Sequence, residues 1–155
     1  IAQWTEWNED DGPQWELLDF DTHRGVQQLV SDLNKIVIEN PALHYHDFTG
    51  DGFEWVDAQN AEDSVLVYLR KGNEGDAPIL VCNNFTPVPR PNYRVGVPAK
   101  GFWKEIFNSD SEAYGGSNLG NYPGCQSTGI GHHARPDSID VTLPPLGTTI
   151  LRLES

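Results

Sequence analysis

The sequence predicts a mainly β fold in which one α-helix precedes a single antiparallel β-sandwich. Two patterns carry that expectation. Across residues 22–40, Val26, Leu29, Val30, Leu33, Ile36 and Val37 recur at the spacing that lines one face of a helix. After Phe48 the apolar period falls to two, in short runs separated by turn-forming residues, and many short strands in series read as a sandwich or barrel.

Asp21 is expected to cap the helix start, because a carboxylate there accepts from an otherwise unsatisfied backbone N–H. Pro41 is expected to end the helix by driving Asn40 out of the α region. Strands are expected at 53–57, 64–71, 79–85, 93–97, 102–107, 138–143 and 148–153. Lys71, Gly72, Asn73, Glu74 and Gly75 read as a hairpin loop. The proline-rich stretch 86–91 reads as an extended connection, since proline lacks the N–H that a central strand donates. The glycine-rich stretch 110–137 far exceeds a usual connection of about 4–6 residues, which marks it as functional, mobile or packed on a neighbour.

A chain of 155 residues with 37% hydrophobic and 21% charged residues can bury a core. Ten Lys and Arg against 23 Asp and Glu give a net charge of −13, which argues against nucleic acids and anionic membranes as partners. Such acidity suits solubility, a saline cytoplasm or a neutral ligand. Cys82 and Cys125 match neither a metal spacing nor a disulfide framework and are expected to be reduced thiols. With no apolar run near 20 residues and no signal-like segment, a soluble, cytoplasmic protein is expected. The chain begins at Ile1 and contains no Met, so it is expected to be a piece of a longer protein.

The helix and the preceding Trp4, Trp7, Trp15, Leu17 and Leu18 carry more apolar surface than a linker requires. Either the helix covers one sheet of the sandwich, or its partner lies outside the chain, since an isolated helix of this length is marginal in water. Trp55 and Trp103 fall within strands and are expected in the core. Trp4, Trp7 and Trp15 lie in a polar, Asp-rich loop, where amphipathic rings suit both ligand contact and packing against another domain.

Few residues suggest reaction chemistry. His44 with His46 and His132 with His133 lack a third zinc ligand at a recognisable spacing, so no metal is expected. Glu9, Asp10 and Asp11 precede Gly12 and Pro13 and read as a solvated turn. Asn84, Phe85 and Thr86 form a glycosylation sequon by accident of an apolar strand. There is no Gly-x-Ser-x-Gly, no suggestive Cys/His pair and no phosphate loop, and no cofactor or catalytic residue is expected.

One set of motifs points further. Gln3-Trp4, Glu6-Trp7-Asn8, Trp15, Leu17-Leu18 and Arg24-Gly25 resemble the end of the catalytic barrel of bacterial 1,4-α-glucan (glycogen) branching enzymes, within the α-amylase-like superfamily. The similarity continues through Leu29 to Asn34, Ala42-Leu43-His44, Gly52-Phe53-Glu54-Trp55, the family-specific string from Asn84 to Arg90, and Tyr93-Arg94. It resumes at Asn108-Ser109-Asp110, Gly116-Ser117-Asn118, Gly120-Asn121 and Leu143-Pro144-Pro145-Leu146.

The resemblance implies an amylase-type C-terminal β domain over 48–155, preceded over 1–47 by the last strand end, loop and final helix of a (β/α)8 barrel. It implies a parent that cuts an α-1,4-glucan, holds the segment on an Asp and transfers it to a 6-hydroxyl, with a Glu as acid and base. Those carboxylates are expected upstream of Ile1, so the chain alone is expected to be inactive. The barrel and α-glucan or glycogen are its implied partners, and Trp4, Glu6 and Trp7 its implied substrate-binding residues, because barrel sites lie at the C-terminal ends of strands. A purely structural domain, a free-standing carbohydrate-binding module and a small hydrolase are the rival readings.

Overall fold

The computed structural model describes residues 3–4 and 8–154. One helix, α1 (Asp21–Glu39), precedes eight strands: β1 (Phe53–Asp57), β2 (Val65–Arg70), β3 (Ile79–Asn84), β4 (Arg90–Val97), β5 (Phe102–Asn108), β6 (Gly124–Gln126), β7 (Asp137–Leu143) and β8 (Gly147–Glu154). Six form one antiparallel sheet in the order β1-β2-β3-β8-β5-β6, and β4 pairs with β7 in a two-stranded ribbon.

Strand parity builds the main core. In β2, Val65, Val67 and Leu69 point one way and meet Leu80 and Cys82 of β3, Trp103 of β5 and Leu151 of β8. Val95 and Val97 of β4, with Ile139, Val141 and Leu143 of β7, close this layer from the ribbon side. Each aliphatic side chain fully withdrawn from water there contributes roughly 1.5–3 kcal/mol.

The opposite face of the large sheet is also covered. Ile79 and Val81 of β3, Phe107 of β5 and Ile150 of β8 pack with Leu29, Leu33 and Ile36 of α1. The continuous Ile-Leu-Val-Cys run of β3 follows directly, since a strand sealed on both sides has no polar face to present. The helix therefore covers the sheet, and it does so with only part of its apolar arc. Val26, Val30 and Val37, turned about 20–60° away from Leu33 at 100° per residue, stay at least 40% exposed.

Polar contacts fix the helix in place. Tyr114 donates its hydroxyl to Asp32 at 2.8 Å, and Arg152 donates to Asn40 at 3.1 Å. Asn40 is extended (φ −125°, ψ 98°), as Pro41 requires, and its amide donates to the Ile36 carbonyl at 2.6 Å. At the other end, Phe20 rather than Asp21 occupies the cap position, without a side-chain cap bond. Asp21 is the first helical residue and pairs with Arg24 one turn on, where its charge still favours the positive helix end.

Three strand expectations are corrected. β4 begins at Arg90, so Pro91 lies within a strand, at the register shift between Arg90 and Tyr93 of a two-stranded ribbon. No further strand demands its missing N–H. β6 was not expected; its three residues pair with Phe102 to Lys104 and carry no alternation long enough to read. Trp103 is fully buried, but Trp55 is 51% exposed. Trp55 pairs opposite Tyr68 on the helix-side face, beyond the area that α1 covers.

Gly25 shows how closely α1 is seated. A Cβ there would lie 2.7 Å from the Tyr114 carbonyl oxygen and 2.9 Å from its carbon. Alanine would gain about 1 kcal/mol of helix propensity, against an overpacking cost of about 1–3 kcal/mol on a backbone neighbour. Gly25→Ala is therefore expected to lower unfolding stability in urea, and an unchanged or raised midpoint would show that the helix is not held against the 112–114 turn.

Candidate functional site

The N-terminal loop is polar and open. Asn8 donates to Asp11 at 2.7 Å, and the Asp10 N–H donates to the Asn8 side chain, so Glu9, Asp10 and Asp11 form a solvated turn. Trp4 is 89% exposed and its backbone N–H donates to the Gln14 side chain at 3.3 Å. Glu6 and Trp7 lie outside the described residues. Trp15 opens a 3-10 turn (Trp15–Asp19) that sends Leu17 inward while its own ring remains exposed.

The expected histidine pairs do not converge on a metal: among the described residues no group of three His, Cys, Asp or Glu is arranged to hold one. His44 is exposed, and the half-buried His46 lies edge-on to Tyr45. His133 instead joins a polar cluster between β1 and β4. Its Nδ1 accepts from the Gly96 N–H at 3.3 Å, and Nε2 lies 3.6 Å from Asp57. Burial and neighbouring His132 lower its pKa more than Asp57 raises it, which leaves His133 neutral near pH 7. Tyr93 donates to Asp57 at 2.6 Å and accepts from Asn60 at 2.8 Å. Arg94 clamps Asp140 with two bonds of 2.9 and 3.1 Å, and the paired guanidinium holds that carboxyl below the usual range.

Both cysteines are free, and burial suppresses their ionisation: Cys82 is pushed far up and Cys125 up to about 11. Neither supplies a thiolate near neutral pH. The sequon asparagine is sequestered. Asn84 donates to the carbonyls of Val88 (2.8 Å) and Pro144 (3.0 Å) and accepts from Thr86, so it ties the 84–90 string to the turn before β8.

Two surface features escaped the sequence reading. Phe53, Trp55 and Tyr68 form a ring cluster on the helix-side face, with centroids 4.8, 5.2 and 6.0 Å apart. Alternation along β1 put Phe53 and Trp55 on one face but could not show that the face is partly open. The second is an open cleft of about 460 Å³ beside β5, past the end of β6, between the 112–114 turn and residues 118–122. Glu105 lies along it, with Oε2 accepting from the Asn121 backbone (2.6 Å) and side chain (3.1 Å). Burial raises the Glu105 pKa, and the Asn121 donors offset part of that rise.

Among the described residues, these elements contain no nucleophile with an adjacent base and no carboxylate pair across a groove. They define an all-β domain with one helix packed on a face of its larger sheet. Residues 55–154 match the family described as alpha amylase, C-terminal all-beta domain, and the chain belongs to it. Its 155 residues are 91% identical to part of the 1,4-alpha-glucan branching enzyme GlgB of Rhodopirellula baltica, covering 100% of this chain and 21% of that protein. Over 154 residues the chain is 53% identical to GlgB of Roseobacter denitrificans, covering 99% of this chain and 21% of that protein. GlgB 1 of Xanthomonas euvesicatoria pv. vesicatoria is 52% identical over 151 residues, with 97% and 21% coverage. The chain thus spans 21% of the length of these relatives.

The Asp57 cluster yields a pH dependence. Burial first, then the Asp57 hydrogen bond, hold the Tyr93 hydroxyl well above its ordinary pKa of 10.0. The folded value exceeds the unfolded one, so this stabilisation is complete below pH 10 and is lost as pH rises toward the folded value. Tyr93→Phe is expected to lose about 1 kcal/mol at pH 7 and to decline less steeply than the wild type above pH 10. Urea unfolding across pH 7–11 checks this, and identical alkaline slopes would contradict it.

Proposed function

We propose that this chain is the C-terminal region of a 1,4-α-glucan branching enzyme and that its own work is to brace the catalytic barrel of that protein. The observation that carries the reading is the 91% identity across the whole chain to an enzyme of that name. The parent cuts an α-1,4-glucan and transfers the segment to a 6-hydroxyl, forming an α-1,6 branch in cytoplasmic glycogen synthesis. A retaining mechanism uses one carboxylate as nucleophile and another as acid and base. In this proposal both lie in the part of the parent outside these residues.

Residues 1–47 are then the end of the barrel and 48–155 the supporting β domain. The two-sided helix supports this division: Leu29, Leu33 and Ile36 meet the sheet, while Val26, Val30 and Val37 form a stripe exposed beside them. A barrel helix needs apolar contact with the barrel as well as with the domain outside it. Trp4, Glu6 and Trp7 follow the last barrel strand and lie near the glucan groove, where the exposed Trp4 ring can stack on a sugar.

A second reading, a glucan-binding module in its own right, draws on the half-exposed Trp55 ring. Retardation of the 155-residue chain in a glycogen gel separates it from a purely bracing role.

Three outcomes test the bracing proposal. The full-length protein should branch amylose and shift its iodine stain, whereas the 155-residue chain should leave that stain unchanged. Alanine at Trp4 and Trp7 should lower branching rate or glucan affinity in the full-length protein; wild-type values would remove these residues from the groove. Serine at both Val26 and Val30 should alter the stability of the chain alone by no more than about 0.5 kcal/mol per site, yet lower the unfolding midpoint of the full-length protein. Equal effects on both would show that the stripe has no barrel to face.

A further inference from the structure

The cleft beside β5 has the ingredients of a saccharide site. Tyr122, Tyr114 and Phe107 line it, the last two with ring centroids 5.7 Å apart. Tyr122 is 85% exposed. Among the described residues, Glu105 Oε1, the Asn118 side-chain amide and the Tyr122 hydroxyl make no hydrogen bond within the protein, and all three residues line the cleft. A pyranose has an apolar face ringed by hydroxyls, so a flat ring with nearby amide and carboxylate groups matches it.

The frame is held before any ligand arrives. Asp110 accepts from the Ser117 N–H at 3.0 Å and the Leu119 N–H at 3.1 Å, while its carbonyl accepts from the Asn118 N–H at 2.6 Å. On the other side, Asn121 is bonded to Glu105 and in both directions to Thr142. Gly120 threads between them, where a Cβ would lie 2.3 Å from the Asn108 amide nitrogen. Ordering the loop therefore adds little entropic cost to binding.

Charge narrows the ligand class. The lining includes Glu105 and no Lys, Arg or His, in a chain of net charge −13, which disfavours anionic sugars and phosphates. The volume of about 460 Å³ falls within the roughly 300–1,000 Å³ of small-ligand sites. Position narrows it again. The Tyr114 backbone touches Gly25, in the first turns of α1, and in a βα unit the helix N-terminus lies at the catalytic face of the barrel.

We propose that the cleft between Tyr114 and Tyr122 is an accessory subsite for a neutral α-glucan strand, with Tyr122 as the stacking platform and Glu105 and Asn118 bonding sugar hydroxyls. The choice of glucan rests on the parent-enzyme reading; the saccharide character rests on the cleft.

The test is affinity electrophoresis of the full-length protein in gels containing glycogen. Tyr122→Ala should weaken apparent affinity about two- to tenfold, while Tyr122→Phe stays within about twofold because stacking survives. Asn118→Gly should also weaken it; Asn118 has φ +62°, which glycine adopts freely, so the amide is lost without backbone strain. Wild-type retardation of Tyr122→Ala would overturn the subsite. So would unchanged retardation with a lowered unfolding midpoint, which would make the cleft an interdomain seat. Failure of the wild type to branch amylose would sink the parent-enzyme reading alone, because the glycogen gels would still score the subsite.

Discussion

The structure depends on one constraint: the central strands of the large sheet must be dry on both faces. β3 alternates Ile79 and Val81 on one side with Leu80 and Cys82 on the other, and all four are buried. Exposing either set forfeits roughly 1.5–3 kcal/mol for each large side chain. The two coverings are consequently not optional. The β4 and β7 ribbon closes one side, where it meets β2, β3, β5 and β8. Helix α1 closes the other, although in sequence it lies before the whole β region.

That constraint explains what the amino acids disclosed and what they withheld. The helix and most of the expected strands were legible because each repeats its period over several residues, and β3 because it is an unbroken apolar run between turn residues. β6 was not, since Gly124, Cys125 and Gln126 are held by the edge of β5 rather than by any pattern of their own. Trp55 was placed in the core on strand membership alone. Periodicity ranks the faces of a strand, but the reach of the covering helix decides how much of a face is sealed, and α1 leaves Trp55 half open. The candidate cleft was illegible for another reason. Glu105, Tyr114 and the pair Asn118 and Tyr122 stand on three separate stretches of chain and converge only when the loop folds back past β5. The motif strings from Asn84 to Arg90 and around Asp110 identified a resemblance without disclosing what their side chains hold.

Those strings are organised by short polar side chains that stand in for absent secondary structure. Asn84 carries three backbone connections across the 84–90 and 144 segments. Asn40 closes the end of α1 and receives Arg152 from β8. Asn121 joins Glu105 of β5 to Thr142 of β7, linking the large sheet to the ribbon. Asn84 and Asn121 each satisfy more than one backbone group, and Asn40 one, that would otherwise be left without partners. Two of the three, Asn84 and Asn121, lie in the family-like motifs, so the shared strings include joints of the domain.

Asp110 also governs which parts of the chain can change length. The loop it organises lacks a regular ladder, yet one residue engages Ser117, Asn118 and Leu119 together. An inserted residue between 111 and 116 would throw all three bonds out of register at once. The hairpin at 72–76 connects two strands through the exposed residues 73–75, with a local bond from the Asn73 N–H to Asp76, and can lengthen at only the slow, logarithmic cost of a larger loop. Size variation among relatives of this domain should therefore collect at the hairpin and avoid the apparently irregular loop.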